Sequence, residues 1–516
     1  MLVDASLTPA PQPYWVAMTT TGTGTDKAIE VTSPATGRRL GEVPRHSRAE
    51  TRAAFVAARR AQRSWAEVSV RRRRKVLLAL HDLVLEHRDE IMDLIQDENG
   101  KSRLSAFEEV LDVVLTCRYY GYAGPRLLKE KRRRGPVPVF TRTREQYAPR
   151  GVVGIIAPFN YPFSLALSDA LAALLAGNAV VLKPDSQTPL SALRGLELLR
   201  EAGLPEGVLQ VVTGAGAEVG QEIVAQCDYL MFTGSTATGE KLAQQASARL
   251  IGCSMELGGK NPMIVADDAD LDRAVEGAWA ACFSNSGQLC ISIERIYVHR
   301  KVADEFTRRF VARVEQMRVG PGHDWETDMG SQISPEHTDK IAAFVDDAVA
   351  HGARVLTGGR RLRELGDAFF APTVLADVPP TADLYSQEVF GPVVYIEVVD
   401  SLDAAVDRAN DTEYGLNASV WAAPRTARGV AERLHAGTVN INEGYAPAWS
   451  ALDAPMGGWK KSGLGRRHGA HGLLKYTEQR NVTQTRFINL LANRLPRQKY
   501  ADAMAAALQA GRRFLR

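Results

Sequence analysis

"GVVGIIAPFNYPFSLALSDALAALLAGNAVVLKP", residues 151–184, reads as a strand, a helix and a second strand in immediate succession. The two strand candidates are apolar and rich in β-branched residues, which is typical of strands that are buried on both faces. The helix between them is predicted to end at Gly177, because glycine readily adopts the left-handed conformation that terminates many helices. This order predicts an α/β fold with a parallel sheet.

The alternation of strands and helices continues after this segment. Further strand candidates up to residue 255 are 208–212 and 229–232, and the helix before the first of them is predicted to end at Gly203. A second series begins near Glu256 and continues past residue 450, with strand candidates at 295–300, 353–359 and 392–399. Two such series predict two parallel sheets, with ligands outside the carboxyl ends of the strands.

The remaining segments divide the chain further. A length of 516 residues is enough for two large domains. Residues 1–30 are predicted to be a flexible lead-in, and residues 46–130 to be helical up to a turn at "YAGP". Residues 134–150 and 475–487 alternate like exposed strands, which favours an intersubunit sheet. The basic tail 488–516 is interpreted as a docked helix, with binding to an anionic membrane surface as the alternative.

Composition excludes several classes of protein. Apolar residues make up 45% and charged residues 24%, which is typical of a globular chain, and the net charge of +3 gives no argument for nucleic acid. The basic runs 71–75 and 131–134 are predicted to be solvated faces. Five cysteines in so long a chain, with no signal peptide and no apolar run long enough to span a membrane, predict a reducing, cytoplasmic location.

Two of the cysteines lie in "CFSNSGQLCISIERIYV", residues 282–298. Cys282 belongs to a helical face of small residues, where a thiol usually packs in the core. Cys290 follows a glycine-containing turn that could expose it for nucleophilic chemistry. Spacing alone leaves the two cysteines nearly equal as candidate nucleophiles.

A glutamate further upstream distinguishes Cys290 from Cys282 as the candidate nucleophile. Glu256 lies in "MELGGKNP", 34 positions before Cys290. This pair, together with "GQLC", resembles the general base and the nucleophilic thiol of the aldehyde dehydrogenase superfamily. Five other stretches fall in the order of that family: "PFNYP" (158–162), "LKPDSQTP" (182–189), "FTGSTATG" (232–239), "EVFGPV" (388–393) and "PMGGWKKSGLGR" (455–466). The resemblance implies the aldehyde dehydrogenase fold, with a cofactor-binding domain over 31–255 and a catalytic domain over 256–460.

The resemblance also implies a mechanism. Cys290 would attack the aldehyde carbonyl to give a thiohemiacetal, and the side-chain amide of Asn160 would donate to the oxyanion. After hydride transfer, Glu256 would activate water to hydrolyse the thioester. Relatives that pass the acyl group to coenzyme A typically lack this glutamate, so a free carboxylic acid is the expected product. A purely structural Glu256 in a salt bridge is the alternative.

The cofactor implied is NADP, with NAD as a possible substitute. Gly234 and Ser235 would contact the pyrophosphate, Glu388 would hold the nicotinamide ribose, and Lys183 would reach the adenosine ribose. Many NAD-using members carry a glutamate at the position of Ser186, and its absence favours a 2′-phosphate, although Asp185 is a nearby negative charge. The other cofactor-binding residues implied are Phe159, Asn160, Pro184, Leu257 and Phe390. No metal site is predicted.

The substrate is less determined. Within the family the chain most resembles NADP-dependent succinate-semialdehyde dehydrogenases, whose substrate carries a carboxylate. Ser168 and Ser284 occupy the positions where well-characterised members place arginines that bind this carboxylate, which favours a less acidic or longer aldehyde as the alternative.

Other residues near the expected tunnel bear on the same question. Arg467 replaces a proton-relay glutamate and could instead bind an anionic substrate. Ser292 replaces a second thiol, so no disulfide switch is predicted. Three residues are candidates either for the tunnel or for the core: Phe163, Leu165 and Trp449.

Two other classes compete with an aldehyde dehydrogenase. A papain-like thiol hydrolase would need a base histidine and a different fold. A non-catalytic scaffold of the same fold is disfavoured because Asn160, Glu256 and Cys290 are all present. A small-molecule aldehyde and a second copy of the chain, in a homodimer or a dimer-of-dimers tetramer, are the expected partners.

Overall fold

A computed structural model describes residues 28–135, 141–486 and 495–514. Contacts divide them into two compact units. The larger contains the described residues up to Leu127 and residues Pro149–Thr477, and the smaller contains Leu128–Ala148 and the described residues from Glu478 onward. Most of residues 1–30, the predicted lead-in, lies outside the described residues, but its last three positions already belong to a strand.

The amino-terminal part is a two-stranded antiparallel sheet followed by helices: β1 (Ala28–Thr32), β2 (Arg39–Pro44), α1 (Arg48–Glu67), α2 (Val70–Glu86), α3 (Arg88–Asn99) and α4 (Arg103–Leu127). The predicted turn at "YAGP" is wrong, because α4 continues through Pro125. The predicted solvated face at 71–75 is wrong at Arg73, which is buried and donates from Nε to the carbonyl of Leu175 at 2.9 Å.

After α4 the chain enters the smaller unit with β3 (Lys131–Arg133) and β4 (Thr141–Pro149), which pair antiparallel. The first strand of the predicted hairpin therefore lies upstream of residues 134–150, and residues 136–140 lie outside the described part of the chain.

Next comes the sheet predicted from the opening segment: β5 (Val152–Ile156), α5 (Ser164–Ala176), β6 (Ala179–Lys183), α6 (Pro189–Glu201), β7 (Leu209–Val211), α7 (Gln221–Gln226), β8 (Tyr229–Thr233), α8 (Thr236–Ala248) and β9 (Gly252–Glu256). The five strands are parallel in the order β9-β8-β5-β6-β7. Gly177 and Gly203, the predicted helix stops, have φ values of +97° and +93°. Both predicted stops are therefore confirmed in the left-handed conformation.

A second sheet follows: β10 (Asn261–Val265), α9 (Leu271–Phe283), β11 (Ile293–His299), α10 (Ala303–Glu315), α11 (Pro335–Ala350), β12 (Arg354–Thr357), β13 (Thr373–Ala376), α12 (Asp383–Ser386), β14 (Val393–Val399), α13 (Leu402–Asn410), β15 (Asn417–Trp421), α14 (Pro424–Ala431), β16 (Thr438–Ile441) and α15 (Ala446–Ser450). Its order is β12-β13-β14-β11-β10-β15-β16, and only β12 runs antiparallel to its neighbour. The α/β fold class predicted from the sequence is confirmed.

The chain ends with β17 (Gly463–Leu464), α16 (Gly469–Leu474), β18 (Thr477–Thr485) and α17 (Arg497–Phe514). β17 returns to the first sheet and pairs antiparallel with β9, beyond the predicted end of the second domain at residue 460. β18 joins β4 and β3 in a three-stranded sheet. The tail forms the predicted helix, but its side chains are largely exposed within the chain, as Leu508 illustrates.

Candidate active site

Cys290 lies in a tightly wound loop between α9 and β11. Asn285, Ser286 and Gly287 adopt positive φ values of 51°, 57° and 72° in succession. A side chain at Gly287 would collide with the backbone of Gly391, because its Cβ would lie 2.1 Å from that carbonyl oxygen. The turn therefore depends on glycine at this position.

Side-chain amides from the second sheet hold the loop in place. Asn261, at the start of β10, donates from Nδ2 to the carbonyls of Cys290 at 2.8 Å and Ser292 at 2.7 Å. Asn417, at the start of β15, donates to the carbonyl of Ile291 at 3.0 Å. These bonds fix the backbone around Cys290 from two strands.

The two candidate nucleophiles, Cys282 and Cys290, have different surroundings. Cys282 is 2% exposed and packs in the core of the second sheet, as predicted. Cys290 is half-buried and lines a cavity. Burial, with the Glu388 carboxylate nearby, raises the pKa of the Cys290 thiol to about 12, while Arg467 opposes this effect. Only Cys290 of this pair has access to a cavity, in the geometry a nucleophile requires.

Asn160 lies beside Cys290, in the loop after β5, and lines the same cavity. Its Nδ2 donates to the carbonyl of Gln288 at 2.9 Å. An amide group carries two N–H donors, so one remains for an oxyanion at the cysteine. The loop is anchored at its backbone, where the carbonyl of Asn160 accepts from Lys101 Nζ at 2.7 Å and from Asn285 Nδ2 at 3.0 Å.

A fully buried ion pair supports the asparagine loop. Lys101 Nζ donates to Oε1 of Glu109 at 2.7 Å, and Oε2 of Glu109 accepts from the backbone N–H groups of Phe163 and Ser164 at 2.8 and 2.9 Å. Breaking such a buried pair typically costs about 3–5 kcal/mol, because one charge is left without compensation. Neither partner belongs to a recognisable motif, because Lys101 lies in the short connection between α3 and α4 and Glu109 lies within α4.

Glu256 occupies the last position of β9 and is 4% exposed. Its Oε1 accepts no hydrogen bond in the described part of the chain. Burial raises the pKa of this carboxyl to about 7, against the opposing charges of Arg467 and Lys475. The carboxylate is also near enough to Cys290 to raise the pKa of the thiol. Among the described residues Glu256 therefore has no direct salt-bridge partner, contrary to the structural alternative.

Arg467 forms part of a buried cluster around Asp169. Its Nε and Nη2 donate to Oδ2 of Asp169 at 3.1 and 2.6 Å, and Nη2 also donates to Oγ1 of Thr233 at 2.6 Å. Lys475 contacts the other carboxylate oxygen at 3.4 Å. The structure therefore does not support Arg467 as a ligand for an anionic substrate, because the guanidinium already has a carboxylate partner and does not line the cavity beside Cys290.

The cavity beside Cys290 has a volume of about 110 Å³. Leu165 and Trp449 line it, whereas Phe163 is fully buried in the core. Its charged lining residues are Glu108 and Asp112, and no Lys, Arg or His of the described residues lines it. The two serines in place of arginines contact these acids: Ser168 donates to Asp112 at 2.6 Å, and Ser284 lies 3.3 Å from Glu108.

Residues at the carboxyl ends of the first sheet form the candidate cofactor site. Gly234 and Ser235 precede α8, and the Ser235 hydroxyl donates to Thr238 Oγ1 at 3.0 Å instead of capping the helix. The first N–H groups of α8 therefore have no side-chain cap, which suits a pyrophosphate. Leu257 packs against the helix, since a Cβ on Gly239 would lie 2.3 Å from its Cδ2.

At the adenosine end, Lys183 is buried and donates from Nζ to the carbonyl of Pro184 at 3.0 Å. Burial lowers the pKa of Lys183, and the charge of Asp185 opposes this. Asp185 accepts from the N–H of Gln187 at 2.9 Å, and Ser186 donates to the carbonyl of Gly214 at 3.1 Å.

A further cation lies beside the loop that contains Gly214. Arg48 Nη2 donates to the carbonyl of Ala217 at 3.4 Å. Sequence reasoning missed this arginine because it lies at the start of α1, far from the motif containing Ser186.

At the nicotinamide end, Oε1 of Glu388 accepts from the N–H of Gly259 at 2.9 Å. A Cβ on Gly258 would lie 2.2 Å from Oε2, so the paired glycines leave room for this carboxylate. Phe390 has a φ of +55°, and its ring meets that of Phe159 edge to face, with the centroids 5.9 Å apart. The uncapped helix, the buried lysine and this carboxylate fit a nicotinamide dinucleotide.

The fold and this arrangement define a member of the aldehyde dehydrogenase family, and the chain belongs to that family, whose model matches residues 20–482. A protein of Mycolicibacterium smegmatis named putative succinate-semialdehyde dehydrogenase (NADP+) is 52% identical over 456 residues, which cover 88% of each chain. The succinate-semialdehyde dehydrogenase (NADP+) of Escherichia coli is 38% identical over 459 residues, covering 88% of this chain and 93% of that protein.

The solved structures agree. The crystal structure of succinate-semialdehyde dehydrogenase from Burkholderia pseudomallei superposes with a TM-score of 0.85 at 36% identity, covering 89% of this chain and 95% of that one. The family predicted from the sequence is thus confirmed.

Among the residues that the structure describes, no helix is both long and apolar enough to cross a bilayer. No cluster of three or more His, Cys, Asp or Glu side chains among them is arranged to hold a metal ion.

Proposed function

We propose that this chain oxidises an aldehyde to the carboxylic acid with NADP as the preferred hydride acceptor. The observation that carries the proposal is the meeting of Asn160 and Cys290 in one cavity, with the Glu256 carboxylate close to the thiol. A thiol, an amide donor and a carboxyl without a hydrogen bond on one of its oxygens are the groups that this chemistry requires.

The steps follow from the residues. The Cys290 thiolate adds to the carbonyl carbon, and the free N–H of Asn160 donates to the oxyanion of the thiohemiacetal. When bound, NADP supplies the hydride acceptor and a positively charged ring that favours the thiolate. Glu256 then takes a proton from water, which attacks the thioester and releases the acid. Removing one oxyanion donor typically lowers kcat about 100- to 1,000-fold.

The named relatives suggest succinate semialdehyde as the substrate. The cavity favours a second candidate, an aldehyde without a carboxylate. Both serines that stand at the expected arginine positions contact acidic side chains, and no cation of the described residues lines the cavity. A substrate carboxylate would lose the bidentate contact that an arginine provides. Assays of several aldehydes with NADP and NAD, following the absorbance of the reduced cofactor, test the activity directly.

The cofactor preference can be tested at Ser186. Replacing Ser186 with glutamate is expected to lower the ratio of kcat/KM with NADP to kcat/KM with NAD by about 100-fold, because a carboxylate would repel a 2′-phosphate beside Lys183. Ser186→Ala is the matched control, since it removes only the hydrogen bond to Gly214. A wild-type enzyme that prefers NAD, or a ratio unchanged in the glutamate variant, would contradict the assignment.

The expected assembly is a homodimer or a dimer of dimers. The sheet β18-β4-β3 supports it, because β18 is an edge strand whose residues after Thr477 are all exposed within the chain. Sedimentation of the full chain should give two or four copies. Replacing Val482, an exposed β18 residue, with proline should shift that mass toward the monomer, and a monomeric wild type would refute the proposal. The five free thiols support a reducing, cytoplasmic location.

A further inference from the structure

The cavity beside Cys290 carries a carboxyl group that the proposed mechanism does not use. Glu108 extends from α4 into the cavity and is partly exposed there. Three hydroxyl groups surround it: Tyr161 donates to Oε2 at 2.9 Å, Tyr445 donates to Oε1 at 2.8 Å, and Ser284 lies 3.3 Å from Oε1. All three partners are neutral, so they orient the carboxyl group without supplying an opposite charge, and burial raises its pKa.

A second carboxyl lies one turn further along the same face of α4. Asp112 lines the cavity and is 3% exposed. Its Oδ2 accepts from the hydroxyls of Ser164 at 2.5 Å and Ser168 at 2.6 Å. Its Oδ1 has no hydrogen-bond partner in the described part of the chain, although it is buried. Burial raises the pKa of this carboxyl, and a donor or a cation bound in the cavity would favour its charged form.

The nearest cations belong to other carboxylates. Lys101 pairs with Glu109 at 2.7 Å, and Arg467 and Lys475 both contact Asp169, at 2.6 and 3.4 Å. None of these three cations lines the cavity, whose charged lining residues are Glu108 and Asp112. The cavity is therefore electrostatically unsuited to an anion and suited to a cation.

The rest of the lining is aromatic and apolar. Tyr161, Tyr445 and Trp449 face the cavity together with Leu165 and Ile291. Aromatic faces attract ammonium groups, and a carboxylate beside them adds to this attraction. Lys101 Nζ already lies 4.0 Å from the ring centre of Tyr161, so Tyr445 and Trp449 are the rings left for a ligand.

We propose that this cavity selects aldehydes that carry a positively charged amino or ammonium group remote from the carbonyl, with Glu108 and Asp112 as the residues that determine specificity. The inference rests on the proposed function and deepens it by naming the substrate class. An aldehyde with its carbonyl at Cys290 would place its distal cation among Glu108, Tyr445 and Trp449. A distal carboxylate in the same place would meet two like charges and no cation.

Pairs of aldehydes that differ only in charge test the inference. Protonated 3-aminopropanal has the shape of butanal, and 4-(trimethylammonio)butanal has the shape of 5,5-dimethylhexanal; succinate semialdehyde supplies the anion. With the full chain and saturating NADP, kcat/KM for the cation should exceed that for its neutral partner about 30-fold in at least one pair. Succinate semialdehyde should be used less well than butanal.

Variants then locate the effect. Glu108→Gln keeps the size and an acceptor oxygen but removes the charge, and it should lower the cation-to-neutral ratio tenfold or more. Asp112→Asn should lower the ratio in the same direction. Glu86→Gln is the matched control, because Glu86 is an exposed carboxylate at the end of α2, and it should leave the ratio unchanged. The ratio compares two substrates on one sample, so a loss of folded enzyme does not affect it.

The outcomes separate the two proposals. Turnover of none of the five aldehydes with either cofactor would overturn the proposed function and this inference together. Turnover of butanal or succinate semialdehyde, with cations no better than their neutral partners, would overturn the inference alone. The wild-type ratios decide this even if both cavity variants fail to fold. A high wild-type ratio that Glu108→Gln and Asp112→Asn leave unchanged would overturn the assignment of these two residues.

Discussion

Replacing Cys290 with serine is expected to abolish steady-state oxidation of every aldehyde, with kcat lowered by about 10⁴-fold or more. A serine hydroxyl is a far weaker nucleophile than a thiolate, and removing a covalent nucleophile typically produces losses of this size. Stopped-flow absorbance of the reduced cofactor should show no burst either, because hydride transfer requires the thiohemiacetal. Binding of NADP, measured by fluorescence quenching, should persist.

Cys282→Ala is the matched control for this experiment. Cys282 lies eight positions upstream and is buried in the core of the second sheet. Its loss should lower the free energy of unfolding by about 1–2 kcal/mol, as other small core truncations do, while kcat stays within a few-fold of the wild type. If Cys282→Ala abolished turnover and Cys290→Ser retained it, the assignment of the nucleophile would be reversed.

Glu256→Gln is expected to release about one equivalent of reduced cofactor and then stop. Acylation of Cys290 does not require a base for water, whereas hydrolysis of the thioester does. The burst should therefore survive, and the steady-state rate should fall about 100- to 10,000-fold. Hydroxylamine, which attacks thioesters directly, should restore turnover in this variant. Glu240→Gln, at an exposed carboxylate on α8, serves as the control and should behave like the wild type.

The pH dependence of the wild type gives an independent check. Burial raises the pKa of Glu256 from an ordinary glutamate value to about 7. A general base acts only when deprotonated, so the deacylation rate should rise about tenfold per pH unit below 7 and level off above it. Glu256→Gln should lose this inflection. A deacylation rate that is flat between pH 5.5 and 8 would contradict the role of Glu256.

The sequence predicted the first sheet well, and the reason is local. Apolar runs marked β5, β6 and β8, the first two of them rich in β-branched residues. Gly177 and Gly203 marked helix ends that the structure confirms in the left-handed conformation. The family motifs assigned Asn160 and Cys290 to one site, and in the structure both residues line the same cavity. Signals of this kind lie within a few residues of the feature they predict, so a single sequence contains them.

The features that were missed depend on contacts between distant parts of the chain. Arg73 looked like one member of a solvated basic run, but it is buried and donates to the carbonyl of Leu175 in α5 and to carbonyls at the end of α1. Three residues that support or line the cavity have no local signal in the sequence: Lys101, Glu108 and Glu109. Their hydrogen-bond partners in the loop after β5, at residues 160–163, lie at least 50 positions away. The prediction of a turn at "YAGP" was wrong because tertiary packing keeps α4 helical through Pro125.

The late return of β17 to the first sheet sets a condition on the synthesis of this protein. Glu256 ends β9, but its neighbours across the sheet edge, Gly463 and Leu464, are made long afterwards. At about 5–20 residues per second, the ribosome adds the intervening residues in roughly 10–40 s. A nascent chain that has already folded β5 to β9 still lacks the strand that flanks its proposed base. Catalytic competence would therefore be acquired only after residue 464 has been made, which delays covalent chemistry at Cys290 until β17 is in place beside Glu256.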